Sequence, residues 1–231
     1  MDKKIKQFLS VPNYLRHRKN LTIAELSQEI GIPAMSISRI ENGNWAIDIN
    51  PVLKMANYFS VSVDAILHND FSAVFSTLQV PTSPAHKMYD RYAKIHDVCR
   101  HNGISGEDWV YWQECKRLAH TNIRHAVNGN YADDDDAHFD MLSFSETGQP
   151  IIIEVKSTNK GPYTGFRMTA AELQTAEDCL KDNIRYEIHR VFHVQDACKI
   201  DRYVITAEEL FRDYDITPKQ FLVKRKAGVS S

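Results

Sequence analysis

From about residue 5 to residue 68 the apolar positions recur at helical spacing: Leu15, Leu21, Ile23, Leu26, Ile30, Ile37, Ile40, Leu53, Ala56, Phe59, Val63 and Leu67. Gly31 and Pro33 interrupt the pattern once, and Asn42-Gly43-Asn44 interrupt it again. This predicts a string of short helices. Phe71, Val74, Phe75 and Leu78 then form the stripe of an amphipathic helix. Pro81-Thr82-Ser83-Pro84 cannot continue it and marks a domain boundary. Residues 85–120 return to helical spacing, broken at Asn102-Gly103-Ile104-Ser105-Gly106.

Beyond the acidic run Asp133 to Asp136 the period changes from that of a helix to that of a strand. Phe139 to Phe144 and Ile151 to Lys156 predict two strands, joined by a hairpin turn at Ser145-Glu146-Thr147-Gly148. Thr169 to Leu180 predicts a helix, with Thr169 as N-cap and Glu172 completing a capping box. Tyr186 to Phe192 predicts a third strand.

The hydrophobic fraction of 43% and charged fraction of 25% over 231 residues describe a globular chain long enough for two domains. No apolar run has the length to span a bilayer, and no signal-peptide core follows Met1-Asp2-Lys3-Lys4. The expectation is a soluble cytoplasmic protein without a membrane partner. Cys99, Cys115, Cys179 and Cys198 are too scattered for a zinc site and are expected as buried thiols. A net charge of −2 excludes a basic coat for nucleic acid, but not a local basic face.

Leu21 to Ile32 followed by Pro33 to Gly43 has the layout helix, short turn, helix. Gly31 supplies the turn, and Leu26, Ile32, Ile37 and Ile40 fix the angle at which the second helix enters a major groove. Here the sequence resembles the Xre/Cro, lambda-repressor-like family over residues 10 to 68, with Ile37-Ser38-Arg39-Ile40-Glu41-Asn42-Gly43 as the recognition-helix end. The resemblance implies a five-helix domain that binds double-stranded DNA, often as a homodimer. Ile23 departs from the polar residue usual in that family. Ala34, Met35, Ser36, Ser38 and Arg39 would face the groove. Of these, Arg39 is the one able to hold guanine bidentately, while Ala34 and Met35 suit thymine methyls. Residues 1–70 hold eight Lys/Arg against seven Asp/Glu, so a single copy should bind modestly. A helix-turn-helix kept for protein contact is the alternative. The Phe71, Val74, Phe75, Leu78 stripe is either the dimer contact or packing onto its own domain.

In the second half, Glu154 and Lys156 are separated by one residue on a strand and share a face. The hairpin brings Asp140 near it. Mg²⁺ prefers carboxylate and water oxygens, and a carboxylate-held metal activates water and offsets phosphate charge. Lysine orients or deprotonates that water, or offsets charge. The set suits metal-assisted phosphodiester hydrolysis. A surface ion pair is the bland alternative, but Ile151-Ile152-Ile153 is too apolar for a solvated strand.

The larger pattern resembles the domain of unknown function at the C-terminus of the plant protein NO VEIN, placed in the PD-(D/E)XK, restriction-endonuclease-like fold. Its residues here are Gly103-x-x-Gly106-Glu107, Phe139-Asp140-Met141-x-Ser143, Ile153 to Thr158, Phe166-x-Met168-Thr169-x-x-Glu172 and Tyr186-x-Ile188-x-Arg190-Val191. The resemblance implies Asp140 and Glu154 as ligands of Mg²⁺ or Mn²⁺ and Lys156 as catalytic amine. It implies Glu107 as a further metal-binding or water-orienting carboxylate. Thr169 and Glu172 also match its motif, but read as a helix cap rather than as catalysts. His138 stands where relatives usually have Gly. Asp133 to Asp136 read as a solvated loop, or as a charge that repels substrate until a metal or partner arrives.

The fold expected is therefore multidomain: an all-α helix-turn-helix domain over residues 1–70, a helical linker over 71–100, and an α/β restriction-endonuclease-like domain with a central mixed sheet over 101–231. The function expected is a DNA-directed, Mg²⁺-dependent endonuclease in restriction or phage defence. The alternative is a transcriptional regulator whose nuclease-like domain serves sensing or dimerisation.

Overall fold

The computed structural model describes residues 8–44, 49–77, 105–131, 137–196 and 199–217. Leu78, the Pro81 to Pro84 boundary, Cys99, Gly103, Asp133 to Asp136 and Cys198 lie outside the described residues.

Among the described residues five helices make the N-terminal domain: α1 (Val11–Arg18), α2 (Ile23–Ile30), α3 (Ala34–Glu41), α4 (Asn50–Phe59) and α5 (Val63–Leu67). Thr22 caps α2, and Glu25 returns the bond by accepting from the Thr22 backbone N–H at 2.7 Å. Gly31 ends the helix at φ 61°, a left-handed conformation that a Cβ would disfavour. Leu26, Ile32, Ile37 and Ile40 are buried between α2 and α3 as expected. An ion pair ties α3 to α1. Arg16 Nε donates to Glu41 Oε1 at 2.6 Å and its Nη2 donates to Oε2 at 3.0 Å, while Asn13 Nδ2 donates to Oε2 at 3.1 Å. The fork geometry satisfies a fully buried carboxylate and sets the tilt of α3.

The C-terminal domain runs α7 (Gly106–Arg117), a 3-10 turn (Asn122–Ala126), β1 (Met141–Phe144), β2 (Pro150–Thr158), α8 (Ala170–Lys181), β3 (Arg185–Phe192), β4 (Asp201–Thr206) and α9 (Ala207–Asp213). The sheet order is β1-β2-β3-β4, with β2 and β3 parallel and both outer pairs antiparallel. The mixed sheet follows from the connections: a tight turn joins β1 to β2, while α8 carries the chain across to a parallel β3. β4 and α9 were not among the expected elements, although Thr206 and Glu209 form a capping box in which each bonds the other's backbone N–H. β1 begins at Met141, two residues later than expected. His138 takes a left-handed φ of 55°, which gives a physical reason for the glycine usual there.

Alternation along β2 divides the core. Ile151, Ile153 and Val155 face α7, where Val110, Tyr111, Cys115 and Leu118 meet them. Ile152, with Leu142, Phe144 and Ile188, lies on the opposite face beside Ala176, Cys179 and Leu210. The two cysteines within the described residues, Cys115 and Cys179, are free and buried, and burial pushes both thiols up to about 12.

The first part of the expected linker is helix α6 (Phe71–Thr77), and it is not a tether. Phe71, Val74 and Phe75 are buried, and the Phe71 and Phe75 rings lie 5.4 and 4.9 Å from Phe144 of β1. The reading of this stripe as a dimer contact is thereby overturned: an intrachain aromatic cluster already covers it. Polar bonds seal the same junction. Tyr14 Oη donates to the Ala126 carbonyl at 2.9 Å, Asn130 Nδ2 donates to the His17 carbonyl at 2.7 Å, and Arg18 donates to the His125 carbonyl. No helix among the described residues is long and apolar enough to cross a membrane.

Candidate active site and nucleic-acid interface

Lys156 and Glu154 leave β2 on the same face, as one-residue spacing dictates. Their side chains meet: Lys156 Nζ lies 2.5 Å from Glu154 Oε1. The pair is not a surface ion pair, since Glu154 is only 3% exposed and β2 is an interior strand. Asp140 stands just before β1. Its backbone N–H donates to the Ile153 carbonyl at 3.1 Å, and its Oδ2 accepts from the Val155 N–H at 2.7 Å. The hairpin thus fixes Asp140 against the residues on either side of Glu154.

Two further elements close on this point. Gly106 opens α7 so close to β2 that a Cβ there would lie 2.6 Å from Ser157 Cβ. That approach brings half-buried Glu107 near enough for its charge to act on Asp140. From α8, Glu172 Oε2 lies 2.7 Å from Lys156 Nζ while also accepting from the Thr169 N–H at 3.1 Å. The cap expected from Thr169 and Glu172 is present, but Glu172 is a site residue as well. The capping box gives no sign of this second use; the sequence signal for it is the place of Glu172 in the motif that carries the family resemblance.

Glu154 and Glu172 share one ammonium, and Asp140 and Glu107 add their charge nearby, so the cluster carries surplus negative charge and retains protons. Burial, and then the charge of Glu107, push Asp140 up to about 6, against the pull of the Val155 N–H and Lys156. Burial and the Asp140 charge push Glu154 up to about 8. Burial works against the Lys156 ammonium, but Glu154 and Glu172 outweigh it and raise its pKa.

Among the described residues no three His, Cys, Asp or Glu side chains gather closely enough to enclose a metal, so the three carboxylates expected as ligands do not form one cage. Asp140 and Glu154 still fit Mg²⁺ or Mn²⁺. Such ions are held by one or two carboxylates and keep waters that substrate phosphate replaces. Two buried carboxylates that repel each other into protonation are also a pair that a dication relieves.

Tyr186 of β3 is buried at the floor of the same face, and its hydroxyl has no hydrogen-bond partner among the described residues. Sequence pattern marked it as part of the family resemblance without a role. An unpaired buried hydroxyl is costly, so Tyr186→Phe is expected to raise stability by about 1 kcal/mol in urea unfolding. A loss of stability would show that the hydroxyl is in use.

On the N-terminal domain, α3 turns Ile37 and Ile40 inward and leaves Ala34, Met35 and Arg39 exposed, with Ser36 and Ser38 half-buried. Met35 is 66% exposed.

Residues 14–66 match the family model described as helix-turn-helix, and residues 106–205 match that of protein NO VEIN, C-terminal. The chain therefore carries a helix-turn-helix domain followed by a NO VEIN C-terminal domain, the two-domain layout expected from the sequence. No curated protein and no solved structure gave a match. DNA binding and a nuclease-like domain are what these two matches support.

Proposed function

We propose that this protein is a DNA-binding endonuclease that hydrolyses phosphodiester bonds at Asp140, Glu154 and Lys156. The observation that carries the reading is that Lys156 pairs with a buried Glu154 on an interior strand, with Asp140 bonded to the adjoining Val155 N–H and Glu107 close enough for its charge to act on Asp140. Asp140 and Glu154 would hold Mg²⁺ or Mn²⁺. The bound ion would supply an activated water and stabilise charge on the phosphate. Lys156, its pKa raised by two carboxylates, stays charged at neutral pH. It therefore serves as a cation facing the phosphate rather than as a base. Glu172 holds the ammonium in place, and Glu107 orients water or completes the ion's surroundings. The α2–α3 unit delivers DNA, with Arg39 on a guanine and Ala34, Met35, Ser36 and Ser38 along the groove. Two copies reading half-sites about 34 Å apart would offset the weak charge of one. A cytoplasmic role in restriction or phage defence fits this activity.

The test is plasmid nicking by the purified chain with and without Mg²⁺ or Mn²⁺. Nicking is expected with either metal and a fall of at least about a hundredfold in Lys156→Ala, the scale on which loss of one charge-stabilising group acts. Nicking that survives in Lys156→Ala would assign it to a contaminant. For the N-terminal domain, Arg39→Ala should weaken specific duplex binding by roughly 1–3 kcal/mol. An unchanged isotherm would remove Arg39 from the interface.

The second reading is a transcriptional regulator in which this domain senses or assembles without cutting. It draws on one feature: the Lys156 ammonium is already held between two carboxylates at 2.5 and 2.7 Å, an arrangement complete without a metal.

A further inference from the structure

The loop between β2 and α8 starts three residues after Lys156 and ends just before the helix that carries Glu172. Both its ends are thus attached to site residues. Its inner side is built. Arg190 of β3 is 1% exposed, and no Asp or Glu among the described residues pairs with it. It donates instead to two carbonyls, from Nη1 to Lys156 at 2.6 Å and from Nη2 to Thr164 at 3.1 Å. Phe166 packs beneath that guanidinium at 5.6 Å, and Tyr203 Oη donates to the Pro162 carbonyl at 3.1 Å. The loop backbone is pinned at Pro162 and Thr164, one step from the catalytic lysine.

Its outer side is open. Tyr163, between the two pinned residues, is fully exposed. A Cβ added at Gly161 or Gly165 would meet nothing within 4 Å. Lys160 and Arg167 are exposed, and neither has an ionic partner among the described residues. Residues 159–168 contain no Asp or Glu, so the loop is wholly cationic beside a cluster of carboxylates. An anchored backbone that holds an uncovered aromatic ring, with a cation on either side of it in the sequence, suits a ligand with a flat base and flanking phosphates. Within a duplex both faces of each base are covered by neighbours, so only an unpaired base offers its face to Tyr163.

We propose that this loop binds an unpaired nucleotide of a single-stranded DNA segment next to the phosphate at Lys156. Tyr163 stacks on the base, and Lys160 and Arg167 engage the adjoining phosphates. The proposal rests on the hydrolytic reading above for what happens to that strand, and it adds the substrate: the helix-turn-helix holds duplex, while the second domain takes a separated strand.

Binding of fluorescein-labelled single-stranded and duplex DNA to the full chain, followed by anisotropy in EDTA, tests this without any cleavage. Base–aromatic stacking energies convert to a loss of between about fivefold and a hundredfold. Tyr163→Ala should lose that much on the single strand and nothing on duplex, and Tyr163→Trp should retain affinity. Arg39→Ala should do the reverse, and a Lys160→Ala, Arg167→Ala double variant should flatten the salt dependence on single strands. Unchanged single-strand affinity in Tyr163→Ala, or an equal loss on both forms, overturns the proposal. A wild type that never nicks plasmid, yet loses single-strand affinity through Tyr163→Ala, would sink the hydrolytic reading and keep this one. A chain that nicks normally with Tyr163→Ala at full affinity would do the opposite.

Discussion

Millimolar Mg²⁺ or Mn²⁺ is expected to raise the melting temperature of the wild type and leave an Asp140→Asn, Glu154→Gln double variant unmoved. At a metal concentration a hundredfold above its dissociation constant the gain is about 2.7 kcal/mol, or roughly 5–10 °C for a chain of this size. The pH dependence sharpens the test. Burial and neighbouring carboxylates push Asp140 up to about 6 and Glu154 up to about 8. A carboxylate whose folded pKa lies above its unfolded value binds its proton more tightly when folded. The stability it contributes is full below the unfolded value and is lost as pH rises through the folded one. Without metal, the wild type should therefore lose stability from about pH 4, where free carboxylates titrate, up to about 8, where Glu154 gives up its proton. The double variant should show a flatter profile. A dication takes the place of the lost protons, so the metal-induced shift should grow with pH. Melts in EDTA and in metal across that range would show it. Identical profiles for both proteins, together with an absence of nicking in Mn²⁺, would leave the regulator as the better account.

Phe144→Ala is expected to cost about 3–5 kcal/mol, the range for a buried aromatic whose cavity cannot refill. Phe144 is fully buried, with the rings of Tyr14, Phe71 and Phe75 at 5.9, 5.4 and 4.9 Å. Two of these partners belong to α6 and one to α1, so the change loosens the helix-turn-helix domain from the sheet as well as emptying the core. Urea unfolding followed by far-ultraviolet circular dichroism should show one transition in the wild type and an early, separate step in the variant. Phe75→Glu should act in the same direction, destabilising the chain instead of dissociating a dimer, because Phe75 is 6% exposed and in contact with Phe144. A stable, fully cooperative Phe144→Ala protein would mean that Phe144 does not couple the two domains.

What the sequence determined by itself was everything governed by local periodicity and local hydrogen bonding. The helices around Leu26, Ile37 and Ile40 follow from apolar spacing, and the turn at Gly31 from its left-handed φ. The hairpin at Ser145 to Gly148 and the Thr169–Glu172 cap are short-range bonds that their own residues dictate. Strand alternation alone placed Glu154 beside Lys156. β4 was missed: Asp201 to Thr206 is short, with only Ile205 of its residues buried, so its strand character comes from pairing with β3 and not from its own pattern. Contacts between segments distant in the chain were decided only by the tertiary structure, because no periodicity encodes which apolar faces meet. The Phe71, Val74, Phe75 stripe reads equally well as a dimer seam or as packing, and Phe144, about seventy residues away in the sequence, settles it by covering the stripe. Glu172 became a partner of Lys156, Arg190 an anchor for Thr164, and Tyr163 the exposed tip of a pinned loop for the same reason. Each depends on where the sheet carries a side chain in space, a property of the assembled fold and not of any stretch of residues within it.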